Sequence, residues 1–410
     1  MANILLATLV ALILAYMLSE IFSRFRLPRV IGQISAGIIL GFPILKEALF
    51  SSDVMSVFSF ITNIGIILLF FFIGLEISLT KFRKNFKEAS LIAFFNTIVP
   101  LISGFLAGKF LFGFDSIASL VLGISVSVSS QAISLDILEE LKLLKSKIGN
   151  LIVTSGTVDD VFELLLVSFI LVLFHSALGQ LSFQKLLLDI LFFISIVIVI
   201  RFIIIPFGLK LFEGGESRST LFMRALIIVL LMSYLSDLFG IGSLIGALIA
   251  GILVRQTLIT GDHRKPWRMN EISHSIHIVS FGFLIPLFFV NVGLNTNINA
   301  IPSNLYLVLV FIAIDILGTL AGTIIGVLLS KGTFREGLIV GWGVIPKGDT
   351  EIVIATLALN GGLINDGIFT AIITVALFST FVAPIVFRLL VKKQSKTATA
   401  KARFHKNISK

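Results

Sequence analysis

The sequence predicts an all-helical integral membrane protein with about thirteen transmembrane helices. Composition is the first reason: 57% of the 410 residues are hydrophobic and only 13% are charged, whereas soluble domains are about 25% charged. The second reason is length, because the apolar runs reach the roughly 20 residues that a bilayer crossing requires. The third is charge placement, since charged residues cluster between these runs rather than inside them.

We expect helices over residues 3–22, 29–43, 57–79, 89–110, 116–138, 147–174, 183–206, 220–238, 239–256, 275–295, 303–330, 335–360 and 366–391. The first run is long enough to span and is followed by arginines rather than a cleavage site, so we predict a retained helix and not a signal peptide. Cysteine is absent. Disulfides and thiolate metal sites are therefore excluded.

The net charge of +9 is distributed as in a membrane protein and not as in a nucleic-acid-binding protein. Most Lys and Arg residues fall in alternate loops, and the segment 392–410 is strongly basic. The positive-inside rule places this C-terminal tail in the cytoplasm and, with an odd number of helices, the N-terminus outside. We therefore expect a multi-pass protein of the cell membrane, with the lipid bilayer as a partner.

Two motifs occur twice along the chain. The segments are Ile31–Ile38 with Ile245–Ile252, and Phe70–Glu76 with Phe289–Asn295. Both pairs have a similar offset, which indicates a duplication. Corresponding helices lie seven spans apart, and an odd shift reverses the direction of crossing. The prediction is an inverted-topology repeat of about 1–174 and 220–391, linked by helix 183–206, as in many secondary transporters.

Transporters with inverted repeats often carry helices broken near the bilayer midplane. The polar run Ser125–Gln131 interrupts one apolar helix, and Pro346–Asp349 lies at the corresponding place in the second copy. Proline removes a backbone donor and glycine relaxes the backbone, so an interruption is reasonable there. The alternative for the serine run is close helix packing through small residues. We predict two broken helices that cross near the midplane.

Asp159 and Asp160 lie near the middle of an apolar stretch from 148 to 174. A charge at the bilayer centre costs at least about 2.5–3.5 kcal/mol, so it persists where it faces water, a partner or an ion. Burial and a like-charged neighbour both make protonation easier, so a proton can compete with a cation for one carboxylate. Such competition is the basis of ion exchange. The alternative is a structural salt bridge with Lys347 or Arg201.

Further oxygen ligands are available from Ser129, Ser130 and Thr157 near the break and the acidic pair. Hard oxygen ligands suit an alkali cation rather than a transition metal. The sequence therefore predicts a site for Na⁺ or another alkali cation and H⁺, with no cofactor beyond the transported ions.

Five other polar residues are predicted to tune this site: Glu163, Asp315, Thr319, Lys347 and Glu351. Glu163 shares a helix face with the Asp pair. Lys347 either neutralises the acidic cluster or pairs with Glu351 one turn away. Asp315 is expected to be unpaired and shares a helix face with Thr319, which favours a functional role.

Several motifs together carry a resemblance to a known family. They are Leu27–Gly32, Ala36–Gly41, Phe72–Glu76, Asp159–Asp160, Phe288–Leu294 and Pro346–Asp349. These segments resemble the monovalent cation:proton antiporter superfamily, in the branch of Kef-type and sodium:proton antiporters with a double-Asp motif. The resemblance extends from Leu27 to Pro384.

The resemblance implies that Asp160 is the principal carrier of ion and proton, with Asp159 as its coupled neighbour. It also implies a homodimer, in which a core of helices at about 89–174 and 303–391 moves while the remainder of the membrane domain, 1–391, forms the dimerisation part. Many relatives with the double Asp have a Lys where this sequence has Thr319, which leaves the charge balance of Asp159 open.

We therefore expect a secondary antiporter that exchanges Na⁺ or another alkali cation for H⁺, and not an enzyme. One alternative is a K⁺ efflux channel or K⁺:H⁺ exchanger of the same fold. Another is an intramembrane prenyltransferase-like enzyme, because Asp159, Asp160 and Glu163 faintly resemble a magnesium–diphosphate motif. That enzyme would need a second acid-rich motif at the same depth and basic residues for the diphosphate.

Overall fold

A computed structural model describes the chain at residues 2–25, 27–76, 86–129, 134, 137–138, 141, 143, 146–156, 158–159, 162–163, 166, 191–193, 195–204, 218–239, 242–260 and 274–408. Within these residues the protein is all-helical and contains no strand. This confirms the predicted fold class.

The helices, labelled in chain order, are α1 (Ala2–Arg24), α2 (Arg29–Leu40), α3 (Pro43–Leu49), α4 (Ser52–Glu76), α5 (Phe86–Leu106), α6 (Ser116–Ser127), α7 (residues 147–156), α8 (Arg218–Leu238), α9 (Ser243–Thr260), α10 (Ile285–Asn295), α11 (Leu305–Leu329), α12 (Phe334–Val344), α13 (Asp349–Asn360) and α14 (Asp366–Ile408). Residues 158–159 and 162–163 are also helical. A further helical stretch lies at 191–203.

Seven helices among the described residues are long and apolar enough to cross a membrane. The number is eight if the bent pair α2 and α3, which meet at 87°, forms one span. Pro43 begins α3, where its missing N–H is no loss. The predicted total of thirteen helices and their inverted order stay predictions.

Two predicted boundaries differ from the structure. The predicted span 335–360 is two helices, α12 and α13, separated by residues 345–348. The last predicted helix, 366–391, continues to Ile408 as α14, so most of the predicted tail 392–410 is helical. Its lysines and alanines favour helix formation, and a polar helix can extend beyond the apolar span.

The chain divides into two compact units. The first comprises Met1–Glu20, Gly32–Leu79 and Val167–Asn295, and the second comprises Ile21–Ile31, Thr80–Leu166 and Thr296–Lys410. The predicted division into a mobile core and a dimerisation part stays a prediction.

In the first unit, the repeated motifs pack through glycines. A Cβ atom at Gly37 of α2 would lie 2.8 Å from Cα of Gly293 in α10, and one at Gly74 of α4 would lie 3.0 Å from Cα of Gly251 in α9. Helix backbones can approach so closely only where side chains are minimal. The Gly37 motif thus contacts the Gly293 motif, and the Gly74 motif contacts the Gly251 motif.

Because Gly37 faces backbone, we expect Gly37→Ala to lower the melting temperature of the purified protein. Overpacking of this kind costs about 1–3 kcal/mol. The measurement is thermal unfolding in detergent, followed by intrinsic fluorescence. The matched control is Gly282→Ala, since a Cβ there meets no atom within 4 Å. Equal melting temperatures for the two variants would contradict the proposed close contact.

The second unit contains all the sequence-predicted site residues that the structure describes. α11 packs along α5 through Gly318, Gly322 and Gly326, and a Cβ at Gly326 would lie 2.6 Å from Cα of Ile92. α5 also packs against α6, where a Cβ at Gly104 would lie 2.8 Å from Cα of Gly123. These close approaches bring polar side chains of different helices within hydrogen-bonding distance.

Candidate functional site

The first helix interruption follows α6, which ends at Ser127. Val128 is extended, with φ −69° and ψ 138°. The serine run explains the end of the helix, because serine side chains compete for backbone groups, and the Ser127 hydroxyl donates to the carbonyl of Ile124 at 2.8 Å. Among the described residues, the chain is no longer helical at Ser129.

The second interruption separates α12 from α13. It contains Pro346, which has no N–H to donate, and Gly348, whose backbone is extended. Thr380 of α14 holds the opened backbone: the Lys347 N–H donates to the Thr380 hydroxyl at 3.1 Å, and that hydroxyl lies 2.9 Å from the Lys347 carbonyl. The interruption predicted around Pro346 is therefore present and supported by a neighbouring helix.

Lys347 joins the two interruptions. Its ammonium nitrogen donates to the carbonyls of Val126 at 2.8 Å and Val128 at 2.6 Å, at the open end of α6. The same nitrogen lies 2.9 Å from a carboxylate oxygen of Asp315 in α11, and both side chains are completely buried. A positive charge thus stabilises the carbonyl end of the broken helix, where the helix dipole is negative.

Asp315 is the ion-pair partner of Lys347, and Ser379 of α14 donates a hydrogen bond to its other carboxylate oxygen. Neither Glu351 nor Asp159 is the salt-bridge partner of Lys347 among the described residues. Tuning of the acidic cluster by the Lys347 charge stays a prediction. The expectation that Asp315 lacks a partner was wrong, because its partner comes from a helix distant in sequence.

Asp159 is buried, with 1% of its surface exposed, and three side chains donate to its carboxylate. Thr97 lies 2.8 Å from Oδ1, Asn96 lies 3.2 Å from Oδ2, and the Ser129 hydroxyl also donates to Oδ2. Hydrogen bonds to a buried carboxylate stabilise its charge and fix its orientation. This carboxylate is therefore held in place by two residues of α5 and by Ser129, which lies in the non-helical stretch after α6.

A second set of contacts fixes these donors. The hydroxyl of Thr323 in α11 donates to the side-chain carbonyl of Asn96 at 3.0 Å, which orients the Asn96 amide towards Asp159. The backbone N–H of Ser129 donates to Glu163 at 2.6 Å. Glu163 thus satisfies a backbone group freed by the interruption, and tuning through this contact stays a prediction.

Two predicted tuning residues are buried without a hydrogen-bond partner in the described part of the chain. They are Glu351, whose two carboxylate oxygens are both unpartnered, and Thr319, whose hydroxyl is unpartnered. Glu351 is 0% exposed and Thr319 is 1% exposed. Neither residue supplies a positive charge that could balance Asp159.

The predicted ligands Asp160, Ser130 and Thr157 lie outside the described residues. Their predicted roles stay predictions. The described part nevertheless brings Asp159, Ser129 and Glu163 together, and places Lys347 at the open end of the same broken helix. Chemically, the arrangement concentrates buried carboxylate, hydroxyl and backbone oxygens around two interrupted helices, which suits a small hard cation.

Comparison with known proteins gives the family. Residues 8–393 match the family model described as sodium/hydrogen exchanger, transmembrane. The chain belongs to the sodium/hydrogen exchanger family. The Na⁺/H⁺ antiporter of Enterococcus hirae is 32% identical to this exchanger over 376 residues, which cover 92% of this chain and 94% of that protein.

Two further relatives show how widely the exchanger's similarity extends. The Na⁺/H⁺-K⁺ antiporter GerN of Bacillus cereus is 25% identical, over 91% of this chain and 92% of that protein. The solved structure of the sodium proton antiporter MjNhaP1 from Methanocaldococcus jannaschii covers 95% of this chain and 97% of its own, with a TM-score of 0.68 and 15% identity. The latter comparison shows a shared fold.

Membership in this family confirms the predicted multi-pass membrane antiporter for cation and proton. It also confirms that the protein is not an enzyme, since the family consists of transporters. The prenyltransferase-like alternative is thereby excluded. The roles of individual residues are not decided by the family match.

Sequence reasoning missed four polar residues of the exchanger's site: Asn96, Thr97, Thr323 and Ser379. All four lie in helices that are otherwise strongly apolar, so their polarity at membrane depth was a usable signal. Asn96 and Thr97 stand side by side in α5, as Asp159 and Asp160 do in their own span. What the sequence did not provide was the pairing of these helices.

Proposed function

We propose that this family member exchanges Na⁺ for H⁺ by alternating access, with Asp160 as the carboxylate that binds either ion and Asp159 as its fixed neighbour. The observation that carries the proposal is the buried Asp159 carboxylate with its three side-chain donors. Those bonds occupy much of the hydrogen-bonding capacity of Asp159. The adjacent Asp160 is then the carboxylate left to exchange a cation for a proton.

Competition between the two ions follows from electrostatics. Two neighbouring buried carboxylates repel one another, so a positive charge, either H⁺ or Na⁺, stabilises the pair. Loading with one ion therefore displaces the other. If the protein changes sides only when loaded, downhill movement of one ion drives the other uphill.

We assign the remaining cation ligands to the hydroxyls of Ser129, Ser130 and Thr157. Oxygen ligands of this type are hard and suit an alkali cation. The Lys347 ammonium, tied to Asp315 and to the Val126 and Val128 carbonyls, limits the net negative charge beside the site. Glu163 and Thr319 complete the polar surroundings.

We also propose a homodimer in the cell membrane, with the basic C-terminal end in the cytoplasm and the N-terminus outside. The distribution of Lys and Arg supports this orientation. In this arrangement helices at about 89–174 and 303–391 form the ion-binding core, and the remaining helices form the dimer contact. The inverted repeat supports a movement of the core that exposes the site alternately on the two sides.

The test is ion-coupled proton movement in proteoliposomes that contain only the purified protein. An imposed Na⁺ gradient is expected to drive H⁺ in the opposite direction, followed with a trapped pH-sensitive dye. Parallel gradients of Li⁺, K⁺ and choline measure selectivity, with choline as the inert control. A response to K⁺ alone would favour the K⁺:H⁺ alternative. Cation flux without proton movement would indicate a channel and overturn the proposal.

A further inference from the structure

Glu351 is a buried acid that the Asp159 site does not use. It lies in the first turn of α13, directly after the second helix interruption. Its surface is 0% exposed, and neither carboxylate oxygen has a hydrogen-bond partner among the described residues. An ionised carboxylate in that position would be shielded from solvent and would have no donor among the described residues, which is energetically unfavourable.

The nearest positive charge cannot supply the missing donor. Lys347 has three N–H groups, and they point to Asp315, to the Val126 carbonyl and to the Val128 carbonyl. An ammonium group has no fourth donor. Lys347 therefore stabilises Glu351 only through its charge, which is already shared with Asp315.

Among the described residues, the two helices that pack against α13 contribute no compensating cation. α6 contains no ionisable side chain, and α14 contains none between Gly367 and Phe387. The charged groups that act on Glu351 are Lys347 and, from α11, the like-charged Asp315. Burial without a donor or a dedicated countercharge in the described part of the chain favours the neutral, protonated form of the Glu351 carboxyl.

We propose that Glu351 is a second proton-binding site of this exchanger, and that it releases its proton when a cation binds at Asp159 and Asp160. This inference rests on the proposed exchange of Na⁺ for H⁺. The link is Lys347, whose charge acts on Asp159 as well as on Glu351. A bound cation adds positive charge to the cluster and offsets the negative charge of Asp159. The charge of Lys347 is then more available to stabilise an ionised Glu351.

The proton balance of the step is simple. The O–H bond of the Glu351 carboxyl breaks, the proton passes to water on the side to which the site is open, and the carboxylate remains beside Lys347. Asp160 releases its own proton on the same side. More than one proton then leaves for each cation that enters, so the exchange moves net charge across the membrane.

Counting protons tests the proposal on the intact protein in detergent. Na⁺ is added to wild type and to Glu351→Gln in weakly buffered solution, and the released H⁺ is measured with a pH indicator. Bound Na⁺ is measured by calorimetry. Glu351→Gln is expected to release about one proton fewer per bound cation than wild type, because its amide has no proton to lose.

The matched control is Glu336→Gln. Glu336 is also a glutamate in the first turn of a helix, but it is paired with Lys147 at 2.7 Å, so it is ionised and has no proton to give. It is expected to release the wild-type number. An equal number for wild type and Glu351→Gln would overturn the proposal and leave Na⁺/H⁺ exchange intact. No binding of Na⁺ or K⁺ to wild type would overturn the proposed function as well.

A second measurement covers the case in which Glu351→Gln does not fold. Infrared difference spectra of the wild type, recorded with and without Na⁺, are expected to show loss of a protonated-carboxyl band for Glu351. Glu351→Asp, which keeps the acid, should shift that band without removing it. The band that shifts in Glu351→Asp is the band of residue 351. The proposal would be overturned if Na⁺ left that band unchanged.

Discussion

Replacement of Asp160 by Asn is expected to abolish cation-coupled proton movement in proteoliposomes. Asparagine cannot release a proton between pH 5 and 9, and it carries no charge to hold the cation. Loss of about 3 kcal/mol from a charge-assisted contact weakens binding about a hundredfold. Flux should therefore fall to the level of protein-free liposomes at millimolar Na⁺.

Two further Asp→Asn changes make this result specific. Asp115 caps α6 by accepting from the N–H groups of Ile117 and Ala118, and Asn caps about equally well, so Asp115→Asn should transport like wild type. Asp159→Asn keeps one acceptor oxygen for its donors and should retain measurable exchange with weaker cation affinity. Wild-type transport by Asp160→Asn would contradict the assignment of the carrier.

Replacement of Lys347 by Met is expected to cause the largest loss of stability. The change leaves the Asp315 carboxylate buried without its partner and removes the donor from the carbonyls of Val126 and Val128. Removal of one member of a buried ion pair typically costs about 3–5 kcal/mol. The melting temperature in detergent should therefore fall strongly, and transport should fall with it.

A double-mutant cycle separates the ion pair from other roles of Lys347. Asp315→Asn alone leaves an unpaired buried ammonium, whereas Lys347→Met with Asp315→Asn removes both charges. The double variant should be more stable than Lys347→Met by about 1–3 kcal/mol, because no buried charge is left alone. Additive losses in the double variant would show that the two residues do not stabilise one another.

The sequence predicted much of the site because charged and polar residues are rare in transmembrane helices and are therefore easy to identify. Asp159, Asp315, Lys347 and Glu351 are conspicuous in apolar helices, where polar groups are costly. The interruption at Pro346 followed from the missing backbone donor of proline. Family membership was also readable, since several motifs recur along nearly the whole chain.

The side-chain contacts between helices were harder to predict from the sequence. Contact of Lys347 with Glu351 was one of two alternatives, because the two are four residues apart, which is the usual neighbour relation on a helix. Helix α13 begins only at Asp349, after the extended Gly348, so Lys347 and Glu351 do not share a helix. The Lys347 side chain instead reaches Asp315 of α11 and the end of α6. A rule for continuous helices does not hold across an interruption.

By itself, the sequence determined that this is an all-helical membrane protein of the sodium/hydrogen exchanger family, with buried acids and interrupted helices. Hydropathy fixes which segments enter the bilayer, and periodicity fixes which residues share a helix face. Only the tertiary structure decided that Asn96 and Thr97 hold Asp159, that Asp315 pairs with Lys347 and that Glu351 has no hydrogen-bond partner in the described part of the chain. The physical reason is that periodicity orders residues along one helix, whereas glycine contacts such as Gly326 with Ile92 decide which helices meet.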